Sequence, residues 1–125
     1  MTKAAAIYTF WSSFGLTAYE ENAVPTGEDA PDFPYITYEL ITDDLGESAA
    51  MTASLWYRSS LWIDANAKSD EIGRYIGYGG VLLPCDGGRI WIQRGLPFSQ
   101  SMGDTGDSLI RRKIVNITAM FLTNL

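Results

Sequence analysis

The chain has 125 residues and a mass of 13.8 kDa, with 46% hydrophobic and 19% charged residues, no histidine and one cysteine, Cys85. A chain of this size forms one domain that buries roughly two thirds of its unfolded surface, and this composition excludes disorder, an intramolecular disulfide and the usual Cys/His zinc sites. Fifteen acids against nine bases give a net charge of −6, which argues against a grip on nucleic acid, and no apolar run is long enough for a membrane-spanning helix.

From the N-terminus, Ala4, Ile7, Tyr8, Trp11 and Phe14 recur at helical spacing, with Thr2 placed to cap the helix and Gly15 to end it. Only Lys3 precedes this stretch, and Thr9, Ser12 and Ser13 interrupt it, so it reads as part of the core and not as a secretion signal. Residues 20–34 are acidic, contain Pro25, Gly27, Pro31 and Pro34, and read as a loop. The period then changes to two. Residues 35–42 alternate Ile36, Tyr38 and Leu40 with Thr37 and Glu39, Asp43-Asp44-Leu45-Gly46 supplies a turn, and residues 48–58 continue the alternation as the second arm of a hairpin.

A second helix is expected over 60–77, with Leu61, Ala65, Ile72 and Ile76 as its apolar stripe, Trp62 alongside and Gly79-Gly80 as its stop. Residues 81–85 and 89–94 flank Asp86-Gly87-Gly88, a favoured tight turn. A long loop over 95–107 precedes a last strand over 109–122, in which Val115, Ile117, Ala119 and Phe121 share a face. The order helix, hairpin, helix, hairpin, long loop, strand indicates one α+β domain over 1–125, with a mainly antiparallel sheet and two helices.

Few motifs carry chemistry. Without imidazole, the usual activator of Ser, Cys and Thr nucleophiles is missing, which leaves carboxylates, lysine, tyrosine or arginine for catalysis. Glu20/Glu21, Asp43/Asp44 and Asp70/Glu71 are adjacent acids of the solvated kind, not a pair spaced across a sugar-sized cleft. Gly77-Tyr78-Gly79-Gly80 follows a helix and precedes a strand, the reverse of a phosphate-cradling order. Asn116-Ile117-Thr118, a glycosylation acceptor by pattern, lies within an expected strand, and Cys85 sits beside a turn with no base near it. The segment Asp104–Asp107 lacks the length and closing glutamate of a calcium loop. No catalytic residue, cofactor or metal site is expected.

Charge is more informative than motif. Residues 20–47 hold nine acids and no base, so that segment carries −9 and the remainder +3. Residues 89–113 hold Arg89, Arg94, Arg111, Arg112 and Lys113 against Asp104 and Asp107. Such polarity suits a subunit whose acidic side meets the basic side of a neighbour. Trp11, Trp62 and Trp91 occupy core-like positions, whereas Trp56 shares its strand face with Thr52, Ser54 and Arg58, which makes it a candidate interface anchor.

The stretches Phe10-Trp11-Ser12-Ser13-Phe14-Gly15, Pro34-Tyr35-Ile36-Thr37-Tyr38 and Ala53-Ser54-Leu55-Trp56-Tyr57-Arg58-Ser59-Ser60 come in the order found in a known family, as do Gly79-Gly80-Val81, Asp86-Gly87-Gly88 and Arg111-Arg112-Lys113-Ile114-Val115-Asn116-Ile117. In this pattern the chain resembles the tail terminator (tail completion or minor tail) proteins of long-tailed bacteriophages, particularly those of Gram-positive hosts. The resemblance implies a small α+β subunit without catalytic residues, assembled into a ring, typically six-fold. Such a ring caps the tail tube at the head-proximal end of the virion, stops tube growth and presents the surface that joins the head. Its implied partners are further copies of itself, the tail-tube protein and the head connector, with DNA passing through unbound. The residues assigned to subunit or tube contacts are Trp56, Arg58, Asp43, Asp44, Phe98, Met102, Arg111, Arg112 and Lys113. The alternatives are a head-closure or neck component of the same virion, or a small carboxylate-based enzyme or ligand-binding domain.

Overall fold

A computed structural model describes residues 1–103 and 106–124; Asp104, one of the acids read as flanking the basic run, lies outside the described residues. Helix α1 (Lys3–Ser12) starts where the Thr2 hydroxyl accepts a hydrogen bond from the Ala5 amide at 3.0 Å, which satisfies one orphan donor of the first turn. Its buried face is Ala6, Ile7, Phe10 and Trp11, continued by Phe14, and the three rings meet edge-on or tilted. That face is rotated from the anticipated one, because Tyr8 points outward and is half exposed. Helix α2 (Ile63–Ile76) begins later than the spacing suggested and ends at Gly77, with φ +63°, ahead of the Gly79-Gly80 pair. Leu61 precedes it and is exposed, so the stripe toward the sheet is Ala65, Ser69, Ile72, Gly73 and Ile76.

The strands are β1 (Thr17–Glu20), β2 (Tyr35–Tyr38), β3 (Ser48–Arg58), β4 (Val81–Cys85), β5 (Gly88–Gly103) and β6 (Ile110–Thr123). They form one six-stranded sheet in the order β1-β2-β3-β6-β5-β4. The α+β content matches the sequence reading, but the antiparallel hairpin layout does not, for three reasons.

First, β1 pairs parallel with β2, which makes the sheet mixed. A parallel pair has no tight turn to announce it, and here the crossover is the acidic 21–34 segment with a short 3₁₀ turn at Gly27–Asp29. Second, β2 and β3 are not joined by a tight turn. β2 stops at Tyr38 and meets β3 only over Ala53–Trp56, while the rest of β3 pairs with β6 alone. Third, β5 continues through the segment expected to be a loop. Gly95, Leu96, Pro97 and Phe98 bulge out between Arg94 and Ser99, and pairing with β6 then resumes to Gly103. The bulge is fixed by Asn116, whose Nδ2 donates to the Pro97 carbonyl at 2.8 Å, and by Phe98, which packs on Gly73 of α2 where an added Cβ would lie 3.0 Å from its ring.

The β4–β5 turn at Asp86-Gly87 and the inward face of β6 (Val115, Ile117, Ala119, Phe121) are as the sequence predicts. Both helices join one hydrophobic cluster with the inward residues of the sheet, so the molecule is two layers deep. No helix among the described residues is long and apolar enough to cross a membrane.

Where β5 starts, Gly88 has φ +151° and pairs with Thr123, so close to β6 that a Cβ would collide with the Leu122 carbonyl oxygen. Gly88→Ala is therefore expected to lower unfolding free energy by about 2–3 kcal/mol in denaturant titrations. An unchanged midpoint would contradict this register.

Candidate functional site

Strand alternation sends one residue set into the core and the other to the face opposite the helices. On that outer face the register aligns Thr17, Tyr35, Trp56, Arg112 and Met102 in one row across β1, β2, β3, β6 and β5. The Tyr35 ring stacks on Trp56 with centroids 6.1 Å apart and planes 16° apart, and Tyr19 meets Tyr35 edge-on at 6.3 Å. The Arg112 guanidinium lies over the Trp56 ring, 4.7 Å from its centroid, and Arg112 Nε donates to Ser54 Oγ at 3.0 Å. Trp56 Nε1 donates to Thr37 Oγ1 at 2.8 Å. Lateral neighbours in the sheet thus half-bury Trp56, and among the described residues no second layer covers it. The result is an aromatic strip, near-parallel at Tyr35 and Trp56 and edge-on at Tyr19, with the Arg112 cation at one end.

Burial, and then the neighbouring Tyr19, push the Tyr35 phenol above its ordinary 10.0, so it stays a neutral hydrogen-bond donor. A raised phenol favours the folded state while protonated, and that contribution is lost only as pH rises from 10.0 through the raised value.

The other sequence-assigned residues scatter. Arg58, at the end of β3, pairs through Nε with Asp107 Oδ2 at 3.1 Å, and the Leu109 amide and then Arg58 hold that carboxyl below its usual range. The run Arg111-Arg112-Lys113 lies on a strand, so its members alternate in face. Arg111 turns to the helix side, with its guanidinium 5.5 Å from the Trp62 ring centroid and bonds to the Ser108 and Ser60 carbonyls. Lys113 Nζ donates to Ser101 Oγ at 3.2 Å. Among the described residues no acid forms an ion pair with Arg111, Arg112 or Lys113. Phe98 is directed into α2, beneath the Arg94 guanidinium.

Asp43 and Asp44 belong to the 39–47 loop, where Leu45 (φ +51°) and Gly46 (φ +82°) form a turn closed by the Glu47 amide on the Asp44 carbonyl. The Leu45 and Gly46 amides bond to the carbonyls of Thr123 and Phe121, which ties the loop to the far end of β6. From Arg112 to Thr123 a strand spans about 35 Å, so the acidic loop and the basic run sit at opposite ends of the sheet. The structure therefore unites Trp56, Arg112 and Met102, puts Arg58 at their margin, and separates Asp43, Asp44, Phe98, Arg111 and Lys113 from them.

Tyr19 and Tyr35 were missed as site residues. Tyr35 was accessible to sequence reasoning, because Thr37 alternates with it on the polar face of β2. Tyr19 was not, because β1 gives no strand signal of its own. Trp91 is also corrected: it is half-buried on the outer face of β5, with Nε1 donating to the Gly79 carbonyl at 2.8 Å, and is not part of the core. A cleft of about 150 Å³ between α1, Tyr75 and β4 is apolar and has no carboxylate, lysine or arginine side chain in its lining.

The contact between Trp56 and Arg112 is open to a double-mutant cycle. Trp56→Ala, Arg112→Ala and the double variant, compared by urea unfolding, are expected to give a coupling of about 0.5–1 kcal/mol. Coupling indistinguishable from zero would mean that the guanidinium does not rest on the indole in solution. Compared with known proteins, the sequence matches no family model and no curated protein.

Proposed function

We propose that this chain is a structural subunit of a bacteriophage tail: it forms a ring on the tail tube, ends tube growth and provides the surface that meets the head. The observation that carries this reading is the one-sided sheet, whose outer face bears the Tyr19–Tyr35–Trp56–Arg112 strip and has no covering layer among the described residues. Rigid aromatics and an arginine on a polar sheet face are the composition of an interface centre. The separation of the acidic loop from the basic run along β6 supports it further, since a subunit with unlike ends stacks head to tail. The resemblance of the sequence stretches to tail terminators supplies the assembly in which such a subunit works.

In this role the chain acts through shape and charge and does no bond chemistry. The ring occupies the growing end of the tube, so further tube subunits have no surface to join. The net charge of −6 repels phosphate, which favours a conduit that lets DNA pass without holding it. The place of action is the head-proximal end of the tail.

Purified chain added to polymerising tail-tube protein is expected to shorten the tubes in proportion to the amount added, as seen by electron microscopy. Trp56→Ala should raise the concentration needed about 30-fold, the effect of losing a contact of about 2 kcal/mol at an interface centre. Tube lengths unaffected by a large excess of the wild-type chain would refute the role.

A further inference from the structure

The sheet has two edges, and they are not equally guarded. Proteins usually protect an edge strand with lysine, proline or a bulge, because its unpaired amides and carbonyls are a template for another strand. β4 carries Pro84, which removes a donor from its edge. β5 outlasts β4: it is paired on both sides only as far as Ile92, and from Ser99 to Gly103 β6 is the only strand paired with it among the described residues. That stretch, Ser99-Gln100-Ser101-Met102-Gly103, contains no charge and no proline, and Gln100, Ser101 and Met102 are exposed. At the opposite side of the sheet, β1 has only β2 beside it, and Thr17-Ala18-Tyr19-Glu20 likewise contains neither lysine nor proline.

The two open edges differ in charge. β1 ends at Glu20 and runs directly into Glu21 and the crossover bearing Glu28, Asp29 and Asp32. The open stretch of β5 is paired with the part of β6 that holds Arg111, Arg112 and Lys113, and Arg94 lies at its base. Direction also fits. β1 is parallel to β2, and the successive pairs β2–β3, β3–β6 and β6–β5 are antiparallel, so β1 and β5 run in opposite senses. A second copy rotated about an axis along the strands therefore brings its β1 antiparallel to β5 of the first.

From these edges we infer that the chain associates with further copies of itself by strand addition, with Thr17–Glu20 of one copy pairing with Ser99–Gly103 of the next. Main-chain hydrogen bonds supply the attachment, and the acidic crossover against the basic arm supplies the choice of partner. Pairing of β1 with β1 would oppose acid to acid, and pairing of β5 with β5 would oppose base to base, so the contact is heterologous and propagates around a ring. The inference rests on the assembly role proposed above and names the surface by which that assembly closes.

Charge inversion tests it. The variant Glu20→Lys/Glu21→Lys has two basic edges, and Arg94→Glu/Lys113→Glu has two acidic ones. By sedimentation velocity each alone should self-associate at least about tenfold more weakly than wild type, and an equimolar mixture should recover to within about threefold of it. Melting curves confirm that each variant is folded. Should a variant fail to fold, amide hydrogen exchange of the wild-type chain takes its place: residues 17–20 and 99–103 should slow together as concentration rises and dissociate together in high salt. Undiminished association of the Glu20→Lys/Glu21→Lys variant, a mixture that does not recover, or protection at only one of the two edges would overturn the inference. A wild-type chain that stays monomeric at high concentration would also overturn it, while the tube-length assay would still decide the capping role.

Discussion

Strand β6 is hydrogen-bonded to β3 on one side and β5 on the other along nearly its whole length, and every other residue of its second half enters the core. That alternation constrains the rest of the molecule. Val115, Ile117, Ala119 and Phe121 are the floor on which α1 and α2 rest, and a slip of one residue would exchange this floor for Ile114, Asn116, Thr118 and Met120. The same alternation places Arg112 on the outer face and its neighbours Arg111 and Lys113 on the other. Register along this strand sets which charges are presented together and which are kept apart.

Because both helices pack on one face, the outer face is closed only by contacts between its own side chains. Tyr35, Trp56 and Arg112 shield one another over the buried Ser54, and within this face Trp56 Nε1 donates to Thr37 and Arg112 Nε to Ser54. Their strip lies toward the start of β6, next to the open stretch of β5, while the acidic 39–47 loop is tied to the other end. The aromatic strip and the open stretch of β5 thus share one end of the sheet, and the acidic loop takes the other.

Elements stabilised by contacts near in sequence were legible before the structure. Thr2 as a cap, the Asp86-Gly87 turn and the inward face of the last strand all follow from local rules. Elements decided by distant contacts were not. β1 is four residues long and exists because β2 lies beside it, and the continuation of β5 depends on Asn116 and Gly73 receiving the bulge that Gly95 and Pro97 introduce. Trp56 was identifiable from its polar strand face and Tyr35 from its alternation with Thr37, whereas Tyr19 was hidden with β1. The division of the basic run was available in principle, since a strand of period two separates adjacent arginines.

In the proposed role the uncovered sheet face, and not the helix layer, is the working surface of this protein. Hydroxyl-radical footprinting of the chain, free and bound to tail tubes, tests it directly, because tryptophan and tyrosine on both layers report by oxidation. Trp56 and Tyr35 are expected to lose reactivity on binding while Tyr8 and Tyr75, exposed on the helices, keep theirs. Protection of Tyr8 and Tyr75 with Trp56 and Tyr35 unchanged would contradict it.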